Sequence, residues 1–214
     1  CLAVKTNGTL WSWGGNFYGG GGRNDRTARS SPTQVGTDTT WDADNIAGSA
    51  YGASALKTDG TLWAWGYSPS GNLGLNQGNT VPYSSPVQVG TQSTWSKIDT
   101  GTNIAIGLKT NGTLWMWGSN SYGALGQNDI VQRSSPTQIP GTTWNDCAAA
   151  HKAGAGRKTD GTLWTWGNDD EGMGGRNNKN PSGMRSSPTQ VPGTDWSSIS
   201  GAATALNMIA TKMV

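Results

Sequence analysis

Three observations on this 214-residue sequence predict an all-β fold built from stacked four-stranded units. A stretch of the form Lys-Thr-(Asn/Asp)-Gly-Thr-Leu-Trp-x-Trp-Gly occurs four times, opening at Lys5, Lys57, Lys109 and Lys158, with a period of about 50 residues. Each copy then carries the same ordered landmarks: Gly-x-x-Gly-x-Asn, Ser-Ser-Pro-x-Gln and a lone Trp. The composition, with 33 Gly and 12 Trp but only 33% apolar residues, starves helices and suits many short strands joined by turns.

Each landmark has a physical reading. The Asn7-Gly8, Asp59-Gly60, Asn111-Gly112 and Asp160-Gly161 pairs sit between extended segments. They predict β-hairpin turns of type I′, in which both central residues take positive φ. In the following strand, alternation places Trp115 and Trp117 on one face with Leu114 and Met116 on the other. Both faces are apolar, so the strand should be sandwiched. Trp11 and Trp13, Trp63 and Trp65, and Trp164 and Trp166 hold the equivalent positions in the other copies. The lone Trp (Trp41, Trp95, Trp144, Trp196) opens a further extended stretch containing Ile46, Ile98, Cys147 and Ile199, which makes Cys147 a small core residue. Four strands per copy follow. A unit of that size cannot bury both sheet faces alone, so copies must stack face to face, as propeller blades do.

The hairpin "ALKTDGTLWAWG", segments such as Gly71-Asn72-Leu73-Gly74 and the Pro-x-Gln-Val strand resemble the repeats of the regulator of chromosome condensation family in its bacterial style. The resemblance covers essentially the whole chain and implies a β-propeller with the tryptophans between blades. We divide the chain, a single propeller domain or fragment over 1–214, into repeats 5–56, 57–108, 109–157 and 158–211. The segment 196–214 starts a further blade, because Met208 to Lys212 align with Cys1 to Lys5. The chain opens on Cys1 inside a repeat, so the expectation is four consecutive four-stranded blades of a longer ring, about seven-bladed by the resemblance. A closed four-blade ring and self-association of short chains are the alternatives.

Charge and motifs exclude several functions. Fifteen basic against 13 acidic residues argue against nucleic acid. No 18-residue apolar run and no signal peptide are seen, so no membrane partner is expected. Two cysteines, Cys1 and Cys147, lack zinc-site spacing, and no metal or cofactor is expected. His151, the only histidine, lies four residues after Cys147, about 13 Å along a strand, too far for a nucleophile–base pair. Gly19 to Gly22 recur in register and so belong to blade geometry rather than to a phosphate loop. Asp169, Asp170 and Glu171 lack calcium-loop spacing and read as a solvated loop.

Recognition is therefore expected where the copies differ, between Trp-Gly and Ser-Ser-Pro, at the strand ends opposite the Asn-Gly turns. Copy one offers Arg23, Arg26 and Arg29; copy two Tyr67, Leu75 and Tyr83; copy three Ile130 and Arg133; copy four Asp169, Asp170, Glu171, Arg176, Lys179 and Arg185. Arg157 also departs from pattern, replacing Val4, Leu56 and Leu108. Gly8, Gly60, Gly112, Gly161 and the tryptophans are read as structural. The function expected is a non-enzymatic scaffold that binds a protein through its rim loops. The other readings are a surface or virion structural protein, an inhibitor of a secreted enzyme and, by the resemblance, a guanine-nucleotide exchange factor. The composition leans toward an extracellular, cell-surface or virion setting.

Overall fold

The computed structural model describes residues 1–77, 79–170, 172, 174–177, 183–201 and 208–212, and every regular element among them is a strand. Strands β1 (Leu2–Val4), β2 (Leu10–Gly14) and β3 (Arg29–Gln34) form the first antiparallel sheet. The second contains β4 (Trp41–Gly48), β5 (Gly52–Lys57), β6 (Leu62–Ser68) and β7 (Asn79–Gln88). The third contains β8 (Trp95–Thr100), β9 (Ile104–Lys109), β10 (Leu114–Gly118) and β11 (Arg133–Ile139). The fourth contains β12 (Trp144–Ala149), β13 (Ala153–Lys158), β14 (Leu163–Asn168) and β15 (Met184–Val191). The last pairs β16 (Trp196–Gly201) with β17 (Met208–Lys212). Within each sheet the strands lie in sequence order.

The sheets are out of phase with the sequence repeat. Each complete sheet opens at the lone Trp, because that strand pairs with the one ending in the repeated Lys: Trp95 lies opposite Lys109 and Trp144 opposite Lys158. The four expected blades thus resolve into three complete four-stranded sheets flanked by a three-stranded and a two-stranded one. The first strands of successive sheets touch one another, β4 against β8, β8 against β12 and β12 against β16, so they are innermost and the fourth strands form the outer edges. Pro32, Pro86, Pro136 and Pro188 all sit on these outer strands, where a missing N–H removes no ladder bond.

One apolar cluster fills each gap between sheets. Trp117 joins Leu56, Leu62 and Trp95 toward the second sheet, while Leu114 and Met116 join Trp144 and Trp166 toward the fourth, as alternation requires. In the second, third and fourth copies the two tryptophans of Trp-x-Trp differ in depth, whereas Trp11 and Trp13 are both half-buried. Trp65, Trp117 and Trp166 are buried, and each indole N–H donates across the gap to a loop carbonyl of the preceding sheet, on Gly20, Asn72 and Ala124. Trp63, Trp115 and Trp164 are half-buried, donate to the neighbouring Thr hydroxyl and lie under the repeated Lys.

The hairpins differ from the expected type. Only the glycine has positive φ, +75° at Gly8 and +74° at Gly112, and Gly8 N–H donates to Lys5 C=O. Thr6 and Asn7 therefore form a type I centre and Gly8 alone takes the left-handed position. Asn7 contributes through its side chain, which accepts from Thr9 N–H and Thr9 hydroxyl. The turns also brace the next sheet: Gly8, Gly60, Gly112 and Gly161 carbonyls accept from Trp41, Trp95, Trp144 and Trp196 N–H. A Cβ on Gly8 would lie 1.9 Å from Thr39 carbonyl oxygen, so the approach itself demands glycine.

The other end is latched by Gly-x-x-Gly-x-Asn against Ser-Ser-Pro. A β-bulge between Met116 and Gly118 lets Ser134 to Pro136 leave the ladder, freeing Ser134 C=O. Asn76 of the preceding sheet, at φ 59°, donates its N–H to that carbonyl at 2.8 Å. Asn24 to Ser84 and Asn128 to Ser186 repeat the bond at 2.7 Å.

Candidate functional site

The turns between first and second strands and the loops between third and fourth strands emerge together at the end opposite the Asn-Gly hairpins. Each loop hangs on one buried polar residue three positions after the second Trp: Asn16, Ser68, Asn120 and Asp169. Each accepts the N–H five residues on, from Gly21 (2.7 Å), Leu73 (3.1 Å), Leu125 (2.9 Å) and Gly174 (2.7 Å). Asn16 and Asn120 also donate to Asp25 and Asp129, which in turn hold Arg29 and Arg133. These loops present side chains from rigid supports, which lowers the entropy cost of binding.

Several expected contact residues are instead part of that support. Arg23, with its side chain 5% exposed, turns inward to Ser12 and to Thr27 C=O. Arg176, at 9%, does the same against Thr165 and Asp169. Asp169 is buried rather than solvated, and it pairs with Arg176 at 3.1 Å and Arg185 at 3.0 Å. Burial raises its carboxyl, but Arg185, the Gly174 N–H and Arg176 outweigh this and hold it below the usual range. Tyr83 packs half-buried against the apolar clusters. Arg26 is exposed without an ion-pair partner among the described residues, and Asp170 is exposed while accepting from Asn168. Arg157 is half-buried on β13 opposite Asp146 and Leu163. Glu171 and Lys179 lie outside the described residues.

Sequence inspection missed the aromatic cluster at the junction of the first two sheets. Tyr67, anticipated, stacks on Tyr18 with ring centroids 5.2 Å apart, and Tyr18 meets Tyr51 edge-on at 5.3 Å and Phe17 at 5.0 Å. Phe17 is 79% and Tyr18 36% exposed. On the third-sheet loop Ile130 (59%) and Val131 (58%) point outward above the Asp129–Arg133 pair. Among the described residues, the other exposed large apolar side chains are Met184, at this same end, and Ile209 on β17.

The catalytic alternative fails on geometry. Cys147 is buried with its thiol pushed up by burial, and His151 instead engages Thr102 Oγ1 through Nδ1 at 2.6 Å.

Comparisons with known proteins agree with this architecture. The model for the Regulator of chromosome condensation (RCC1) repeat matches residues 59–108 and 111–156, and a second model of the same description matches 95–124. The ultraviolet-B receptor UVR8 of Arabidopsis thaliana is 28% identical over 139 residues, 64% of this chain and 31% of that protein. Human WBSCR16 superposes with a TM-score of 0.82 at 21% identity, over 100% of this chain and 55% of that one. Yeast RCC1 (Prp20), solved with Kap60 bound, superposes with a TM-score of 0.76 at 20% identity, over 94% and 50%. The chain spans 31% of that curated relative and about half of these solved chains, whose likeness shows the propeller fold.

Proposed function

From the premise that the chain belongs to the regulator of chromosome condensation repeat family, we propose that it is a non-enzymatic propeller scaffold. In this reading it binds a protein partner through the rim opposite the Asn-Gly hairpins. One observation carries the reading: among the described residues, every exposed large aromatic or aliphatic side chain except Ile209 on β17 lies at that end, and Phe17, Tyr18, Ile130 and Val131 sit on loops fixed by buried polar anchors. Rigid aromatics flanked by polar residues are what protein interfaces use as anchors. The yeast relative solved with Kap60 bound lends support to a protein as the partner class.

The test is capture with variant pairs. Phe17→Ser, Ile130→Ser and Val131→Ser together should abolish partner capture and leave the melting temperature within a few degrees, since these side chains are 58–79% exposed. Thr37→Arg with Thr91→Arg, exposed at the opposite end, should leave capture intact. Loss with the Thr37 and Thr91 substitutions and retention with the first group would reverse the assignment of faces.

A further inference from the structure

At the junction of the third and fourth sheets the same rim holds a small polar cavity of about 180 Å³. Tyr122 comes from the third-sheet loop, His151 and Lys152 from the turn after β12, and Asn103 from the turn after β8. Lys152 Nζ lies 4.3 Å from the centre of the Tyr122 ring and donates to its hydroxyl at 3.2 Å, which leaves two ammonium protons and the phenol O–H unassigned. His151 Nδ1 shares a hydrogen bond with the Thr102 hydroxyl at 2.6 Å, which orients the ring, and in its Nε2–H tautomer the imidazole would add a further donor. Asn103 also lines the cavity, and its Oδ1 is buried with no hydrogen-bond partner.

We propose that this cavity takes the side-chain carboxylate of an Asp or Glu in the partner protein, with Lys152, Tyr122 and His151 donating to the carboxylate and Asn103 accepting a peptide N–H from the same segment. The inference rests on the rim reading above and specifies one chemical feature of its partner. The charge balance selects a carboxylate over a phosphoryl group. Burial, then the neighbouring Lys152 charge, lowers the His151 pKa, so the pocket offers one full positive charge, matching one negative charge rather than two. An acceptor among the donors also suits a peptide, which brings its own N–H, and penalises phosphate, whose oxygens Asn103 Oδ1 would repel.

His151 is the sole histidine, so its ring protons give an unobstructed NMR signal. Titration of the free chain with N-acetyl-aspartate N-methylamide should move that signal saturably, with a midpoint on the order of 10 mM. Lys152→Gln should weaken the midpoint at least tenfold, and Tyr122→Phe should weaken it severalfold while both variants keep the parent melting temperature. N-acetyl-asparagine N-methylamide should leave the signal in place. An unmoved signal, equal response to the asparagine compound, an unchanged midpoint in Lys152→Gln, or tighter binding of inorganic phosphate would each overturn the proposal. No partner is needed, so failure here removes the pocket assignment alone, while the rim reading stands or falls on capture.

Discussion

Trp117→Ala should destabilise the protein by about 3–5 kcal/mol, clearly more than Trp115→Ala two residues away. Trp117 is 0% exposed, fills the gap to Leu56, Leu62 and Trp95, and donates its indole N–H to Asn72 C=O of the preceding sheet. Truncation opens a cavity that the surrounding strands cannot close and leaves a carbonyl unpaired. Trp115 is half-buried, and its N–H is satisfied within its own hairpin by Thr113, so the same change should cost roughly 2 kcal/mol by area. Equilibrium urea unfolding of the two variants decides the matter. Equal losses would mean that the gap between sheets is not where the second Trp acts.

Asp169→Ala is the second change with a large expected effect, about 3–5 kcal/mol, because it strands the buried Arg176 guanidinium. The repeat supplies its own remedy. Where copy four has Asp169 and Arg176, copy two has Ser68 and Leu75 at the same positions. The double variant Asp169→Ser with Arg176→Leu should therefore recover more than half of the loss, an outcome read as non-additivity in a double-mutant cycle. Arg185 is 26% exposed and can remain solvated. Additive losses would deny that the pair acts as a unit. The pH dependence has a definite sign. Asp169 is held below the ordinary carboxylate range, so the folded state binds fewer protons than the unfolded one; the pair's contribution is present above about pH 4 and is lost as pH falls below it.

The architecture was legible because it is written as repetition. The strands, the sandwiched Trp-x-Trp and the hairpin positions follow from periodicity, and even Cys147 was placed by its register with Ile98 and Ile199. The turn class was not legible, because Asn-Gly suits two turn types; the requirement falls on Gly8, which meets Thr39 on a neighbouring segment far from the pair in sequence. At the rim, charge in a loop was read as exposure. Arg23 and Arg176 violate this because the position after the second glycine points inward, as Leu75 at the same place could have signalled. The buried anchors Asn16, Ser68, Asn120 and Asp169 also stand in register, but their identities differ, so no shared landmark marks them. The aromatic cluster was hidden for another reason: Phe17 and Tyr18 reach Tyr51 and Tyr67 only once two sheets have stacked.

Amide hydrogen exchange of the chain, free and bound to a captured protein partner, tests most directly the claim that the repeated residues are scaffold and one rim does the binding. The account predicts new protection in 15–29, 49–52, 119–133 and 150–152, with exchange in the hairpins 5–9, 57–61, 109–113 and 158–162 unchanged. Protection confined to those hairpins, with the rim loops exchanging as in the free chain, would contradict it.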